Sequence, residues 1–219
     1  MRKLTGTIVV AAAMSAAGCL QKETTHTIYL SPDGRATWTV VEQNVRSDEN
    51  DAGGRAAEEQ AYLLAAEGSD HGVGRGLAAL SPARLRTRII RGDRPFHVVT
   101  DAEFSTLEFA VQRFVTGLGL PADVLVTYDG PVTTLRVRID RAQAMENDTQ
   151  KPKEEAENPL VALAEELDAY RFTLTAGRFV SAVGFTLADD DTTAVPVKPA
   201  WDEVIANGGV LELSLGWRR

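Results

Sequence analysis

The chain has 219 residues, 44% hydrophobic, 25% charged and 6% aromatic, which excludes collagenous, mucin-like, coiled-coil and fully disordered classes. Lys and Arg number 23 against 31 Asp and Glu, and a formal charge of −8 argues against a nucleic-acid partner held by electrostatics. One cysteine and three histidines leave no internal disulfide, no cysteine-rich zinc site and no CxxC redox pair within the chain.

Residues 1–18 read as an export signal: Arg2 and Lys3 form a basic start, an apolar stretch runs from Ile8 to Met14, and small residues follow at Ser15, Ala16, Ala17 and Gly18. The apolar stretch is too short to span a bilayer as a helix. The single cysteine comes next. Ala16-Ala17-Gly18-Cys19 resembles the lipobox of bacterial lipoproteins, with Ala16 where that family usually has Leu. The resemblance covers residues 1–19 only. It implies cleavage before Cys19, a thioether from Cys19 to diacylglycerol and, often, acylation of the new amino terminus. Two or three acyl chains anchor a protein stably, at about 0.8 kcal/mol for each buried methylene. Plain secretion with a stray cysteine is the alternative. Leu20, a non-aspartate after the cysteine, implies by the sorting rule of enteric bacteria an outer-membrane location facing the periplasm. Loss of Arg2 and Lys3 leaves 21 basic against 31 acidic side chains, a charge of −10 on the exported part. Contact with an anionic surface beyond the anchor then needs a local basic patch.

The predicted organisation is a lipidated Cys19 with a short tether through residue 25, then a single domain over 26–219. Ile28 and Leu30 share a face before the turn Ser31-Pro32-Asp33-Gly34, and Ala36, Trp38 and Val40 alternate with polar residues beyond it, predicting a hairpin. Residues 50–66 predict a helix that stops at Gly68, and 76–80 a short second one. Leu85, Thr87 and Ile89 alternate with Arg84, Arg86 and Arg88, and Gly92-Asp93-Arg94-Pro95 turns the chain into Phe96, Val98 and Thr100. Ser105 and Glu108 have the spacing of a capping box ahead of a helix with Leu107, Val111, Phe114 and Leu118 on one face, ending among Gly117, Gly119 and Pro121. A third hairpin runs from Val124 and Val126 through Asp129-Gly130 to Leu135, Val137 and Ile139. Residues 145–157 read as an exposed loop, and Asn158-Pro159 opens a helix with Leu160, Leu163, Ala164 and Leu167 buried. A fourth hairpin is predicted from Phe172 and Leu174 to Phe179 and Val183, then a helical turn near Trp201 and a closing strand through Leu211, Leu213, Leu215 and Trp217. The fold class is α+β: an antiparallel sheet of successive β-hairpins with helices packed on one face.

The candidate ligand-binding residues are arginines on strand faces, Arg84, Arg86 and Arg88 on one hairpin and Arg136 and Arg138 on another, with Arg91 and Arg94 extending the set. Residues two apart on a strand point the same way, so neighbouring hairpins would merge them into a basic stripe for phosphate or carboxylate. The plainer alternative is a solvated face whose arginines pair with cross-strand Asp and Glu. His26, His71 and His97 are expected on the surface, with Asp101 on the same face as His97 but about 13 Å along the strand. No GxSxG, SxxK or HExxH motif occurs, so no catalytic residue is assigned and an enzyme is not expected. Gly72, Gly74 and Gly76 read as a flexible interhelix loop rather than a phosphate loop, and Asp189-Asp190-Asp191 as a loop rather than a calcium site. The pairs Glu58-Glu59, Glu154-Glu155 and Glu165-Glu166 read as wet faces, and Trp38, Trp201 and Trp217 as core or rim. No metal and no cofactor are expected.

The sequence therefore points to a lipid-anchored, non-catalytic envelope protein. One hypothesis is an interaction or assembly accessory that meets another envelope protein through exposed strand edges and its acidic surface. The alternative is a lipid or glycolipid binder, in which sheet and helices enclose an apolar groove and the arginines meet an anionic headgroup. The two separate on the core: a binder has a groove lined by apolar residues, an accessory a filled core.

Overall fold

A computed structural model describes residues 20–117, 122–140, 169–198 and 209–218. The export signal with Cys19, the segment 145–157, the helix expected from Asn158 and the turn near Trp201 lie outside the described residues.

In chain order the elements are β1 (Leu20–Leu30), β2 (Ala36–Ser47), α1 (Ala52–Glu67), α2 (Gly72–Ala79), β3 (Arg84–Arg91), β4 (Phe96–Phe104) and α3 (Leu107–Gly117). There follow β5 (Ala122–Asp129), β6 (Val132–Asp140), β7 (Tyr170–Leu174), β8 (Arg178–Val183), β9 (Phe185–Leu187), β10 (Thr193–Pro196) and β11 (Val210–Arg218). The class is α+β, as expected, but the strands form two sheets. A seven-stranded sheet has the order β3-β4-β2-β1-β7-β10-β9, and a four-stranded sheet the order β5-β6-β11-β8.

Three predicted hairpins, β1–β2, β3–β4 and β5–β6, form in antiparallel register. The fourth does not. β7 lies parallel to β1 and is flanked on its other side by β10, so both of its edges are taken. After the turn at Gly177 the chain therefore crosses to the other sheet, where β8 pairs with β11 and Phe179 meets Trp217 edge to face at 6.4 Å. The residues expected as a tether, Gln21 to Thr25, are part of β1 and pair with β2.

Local chemistry explains the helices. Asp51 caps α1 by accepting from the Gly54 N–H at 2.7 Å, and Glu59, Tyr62 and Ala66 recur at helical spacing on its buried side. α2 starts at Gly72, earlier than expected, and takes in the glycines read as a loop; Gly74 is required there because a Cβ would strike the Ser69 backbone. At α3 the cap is Thr106, whose hydroxyl accepts from the Phe109 N–H at 3.1 Å, and not Ser105.

One face of the seven-stranded sheet carries the core. Ala36, Trp38 and Val40 of β2 and Ala102 and Phe104 of β4 pack with α3 and the four-stranded sheet, through Leu135, Val137, Ile139 and Leu215. Towards the other end of the same strands, Val45, Phe96 and Val98 pack under Tyr62 and Ala66 of α1. Among the described residues no helix is long and apolar enough to cross a membrane.

The passage from β8 back to β9 turns on Gly184, at φ +75°, where a Cβ would run into the Leu213 side chain. Gly184→Ala is expected to cost about 1–3 kcal/mol, combining backbone strain with a displaced core leucine; urea unfolding of the variant against the parent measures it.

Candidate functional site

Between the two sheets lies a small apolar recess, with about 70 Å³ of free interior, that is partly open to solvent. Ile28, Trp38, Tyr170, Phe172 and Phe185 line it from the seven-stranded sheet, Val111, Phe114 and Val115 from α3, and Val137, Ile139, Leu213 and Leu215 from the four-stranded sheet. The aromatic rings form one wall. Trp38 meets Phe114 edge to face at 5.0 Å and Tyr170 at 5.8 Å.

His26 backs this wall. It accepts a hydrogen bond from the Trp38 indole N–H on Nδ1 at 3.1 Å and stacks on Tyr170 at 4.5 Å. Burial lowers its pKa to about 4 against an opposing pull from Glu42. The imidazole is neutral at pH 7, so the wall carries no charge.

A second constellation lies on the same sheet face, beneath α1 and α2. Glu42 has no solvent exposure. Its carboxylate accepts from Tyr62 Oη at 3.0 Å and from His71 Nε2 at 3.0 Å, and is paired with Lys22 Nζ at 2.5 Å. His71 Nε2 also sits 3.3 Å from Thr100 Oγ1, which in turn is 3.2 Å from Thr87 Oγ1. A carboxylate only accepts, so the His71 proton belongs on Nε2, and the buried Nδ1 is left without a partner. Burial pushes the Glu42 carboxyl up, but the hydrogen bonds from His71 and Lys22 outweigh it and hold the group below its usual range. Burial and then the Glu42 charge push the Tyr62 hydroxyl up.

The histidines depart from expectation. His71 is 2% exposed, His26 is half-buried in the aromatic wall, and His97 keeps a buried Nε2 with no hydrogen-bond partner. Glu59 is also buried rather than on a wet face, accepting from the Ser47 N–H at 3.0 Å and pairing with Arg94 at 2.9 Å. Trp38 and Trp217 are core residues, as expected.

The arginines are divided between the two sheets. Arg84, Arg86 and Arg88 lie on the outer face of β3, in register with Glu103, Asp101 and Val99 of β4. Arg84 reaches Glu103 at 3.9 Å and Arg88 reaches Asp101 at 2.7 Å. Arg136 and Arg138 lie on the outer face of β6 in the other sheet, where Arg138 approaches Glu212 at 4.0 Å. The sheets pack by their inner faces, so the two sets do not merge into one stripe, and no arginine lines the recess. Asp189, Asp190 and Asp191 form the exposed β9–β10 turn, with Asp190 accepting from the Thr192 N–H. Among the described residues no three His, Cys, Asp or Glu converge as a metal site.

Strand periodicity carried a signal for the buried carboxylate. Ala36, Trp38, Val40 and Glu42 are consecutive residues of one parity, which puts a charge on the inward face. The recess has no such signature, because it forms between elements far apart in the chain.

No family model matches the chain, and no curated protein sequence matches it. Among solved structures, the NMR structure of the folded domain of the Mycobacterium tuberculosis LppM protein is similar over 92% of this chain and 91% of that one, with 12% identical residues and a TM-score of 0.38. At that score neither fold nor role carries over.

His26 makes the domain pH-sensitive. Its folded pKa of about 4 lies below the ordinary 6.5, so between those values the unfolded chain takes up a proton that the folded one refuses. Stability is expected to fall by about 2 kcal/mol between pH 7 and pH 5. His26→Gln, which keeps an acceptor for Trp38, removes that part of the pH dependence in urea unfolding at the two pH values.

Proposed function

We propose that this chain is an exported, lipid-anchored envelope protein that binds the apolar part of a lipid or glycolipid in the recess between its sheets, without catalysing a reaction. The observation that carries this reading is the recess itself, walled by apolar side chains from both sheets and α3. The uncharged His26 behind the wall supports an apolar occupant, since a cation there would have to be desolvated against it. With no arginine in the lining, affinity comes from the tail: each buried methylene contributes about 0.8 kcal/mol.

Cys19 is the anchor in this reading, on the strength of the basic start, the apolar stretch and the small residues before it. Leu20 after the cysteine supports an outer-membrane location facing the periplasm. The second reading, an accessory that meets an envelope protein, is favoured by exposed apolar side chains on both edges of the four-stranded sheet. These are Leu125 and Tyr128 on β5, and Val180 and Val183 on β8.

Native mass spectrometry of the exported domain, prepared without Cys19 and without detergent, separates the two. A reproducible lipid mass is expected. Val111→Phe projects extra bulk into the recess; losing room for two methylenes weakens binding by about tenfold. Arg86→Ser, on an outer face, leaves the bound mass in place. A clean ligand-free mass for the parent protein overturns the binder and leaves the accessory.

A further inference from the structure

We propose that the end of the seven-stranded sheet bearing Leu20 rests against the bilayer that holds the protein's own anchor, with the β3–β4 turn and the β2–α1 connection in the headgroup layer. The inference rests on the reading of Cys19 as the acylated residue, and it follows from where the folded chain begins relative to it.

Leu20 is already part of β1, opposite Ser47, and is partly buried against the cluster of Val45, Tyr62 and Phe96. The next two residues are held by side chains as well as by pairing: Gln21 Oε1 accepts from Arg46 at 3.3 Å, and Lys22 is bound to Glu42 at 2.5 Å. No slack separates Cys19 from the domain. One residue of extended chain spans at most about 3.6 Å, whereas the five-residue tether that the sequence leads one to expect would have given about 17 Å of clearance. The glycerol on Cys19 is thus confined to a few ångströms from the sheet, and the sheet end must meet the headgroups.

The surface brought down is identifiable. β2 ends there at Ser47, and the β3–β4 turn folds across it, Arg94 bonding the Ser47 carbonyl at 3.3 Å and Glu59 at 2.9 Å. Ile90, 59% exposed, and the exposed Asp93 flank the contact. At the opposite end of β1 lie the β1–β2 and β5–β6 turns, adjacent to one another where Tyr128 Oη approaches Gly34. An eleven-residue strand places those turns about 35 Å from the bilayer.

Electrostatics does not drive this contact. Arg46, Arg91 and Arg94 are offset at the same end by Asp48, Glu49 and Asp93, on a domain that is acidic as a whole. The orientation comes from the short attachment and therefore persists at high salt, where a basic patch would be screened.

The test uses the full-length protein isolated with its anchor and reconstituted into vesicles of phosphatidylethanolamine and phosphatidylglycerol containing a lipid with a nitroxide headgroup. A thiol-reactive fluorophore is placed by Ile90→Cys, Asp93→Cys or Asp129→Cys, the last in the β5–β6 turn; the thioether at Cys19 does not react. Labels at 90 and 93 are expected to be quenched several-fold more than the label at 129, equally at low and high salt. A flexible spacer of about ten residues between Cys19 and Leu20 is expected to abolish the difference. Mass spectrometry of the N-terminal peptide keeps the two readings apart. Equal quenching at all three sites with an acylated Cys19 overturns the orientation and leaves the anchor. Quenching that disappears at high salt also overturns it. An unacylated Cys19 overturns the anchor and the orientation together.

Discussion

A carboxylate without access to water holds the helical end of this domain together. Glu42 bonds Lys22 of β1, Tyr62 of α1 and His71 at the start of α2, and His71 passes the connection to Thr100 of β4 and Thr87 of β3. Four strands and both N-terminal helices are therefore joined in one network through Glu42 and His71. Desolvating the charge is costly, and three directed partners compensate it; a hydrogen bond to a charged group of this kind contributes about 1.5–3 kcal/mol. Apolar contacts alone would let α1 and α2 slide over the sheet. The directed bonds give them a single position, and with them the position of Ser47 and Arg94, which meet Glu59 on the same helix.

This polar seam divides the inward face of the large sheet into two regions. On one side lies a small cluster around Val45 and Val98, closed over by helices. On the other lies the larger cluster shared with the four-stranded sheet and α3, whose residues line the apolar recess. The small cluster is covered by Tyr62 and Ala66 of α1, whereas in the larger one Trp38 and Tyr170 of the large sheet and Phe114 of α3 pack as a group of rigid rings. His26 belongs to both regions: its ring completes the aromatic wall, and its titration responds to Glu42.

What the sequence made legible follows the range of the interactions. Alternation identified both strands of the first three hairpins, and the parity of Arg84, Arg86, Arg88, Arg136 and Arg138 assigned each to an outward face. Parity is a property of one strand. It says nothing about which sheet a hairpin joins, so the arginines were expected to lie side by side and instead occupy two sheets. The β7–β8 hairpin failed for the same reason, since the partners of β7 come from β1 and β10 rather than from its neighbour in sequence. Glu42 was legible in principle, from its place after Ala36, Trp38 and Val40, but a charged residue invites a solvent-facing assignment unless its partners are known. Those partners, Lys22, Tyr62 and His71, come from three other elements.

The parallel pairing of β1 with β7 also sets an order of assembly. β1 lies at the centre of the large sheet; on one side is β2, its hairpin partner, and on the other β7, where the Thr175 N–H reaches the Leu30 carbonyl across 145 positions of chain. The half-sheet β3-β4-β2-β1 closes through local links, while β7, β10 and β9 add only once residue 170 and beyond are available. A chain that emerges amino terminus first thus presents the inner edge of β1 unpaired for most of its length. That edge is an open template for strand addition, so the same arrangement that places β1 at the centre of the finished sheet leaves it open on one side until the later strands arrive.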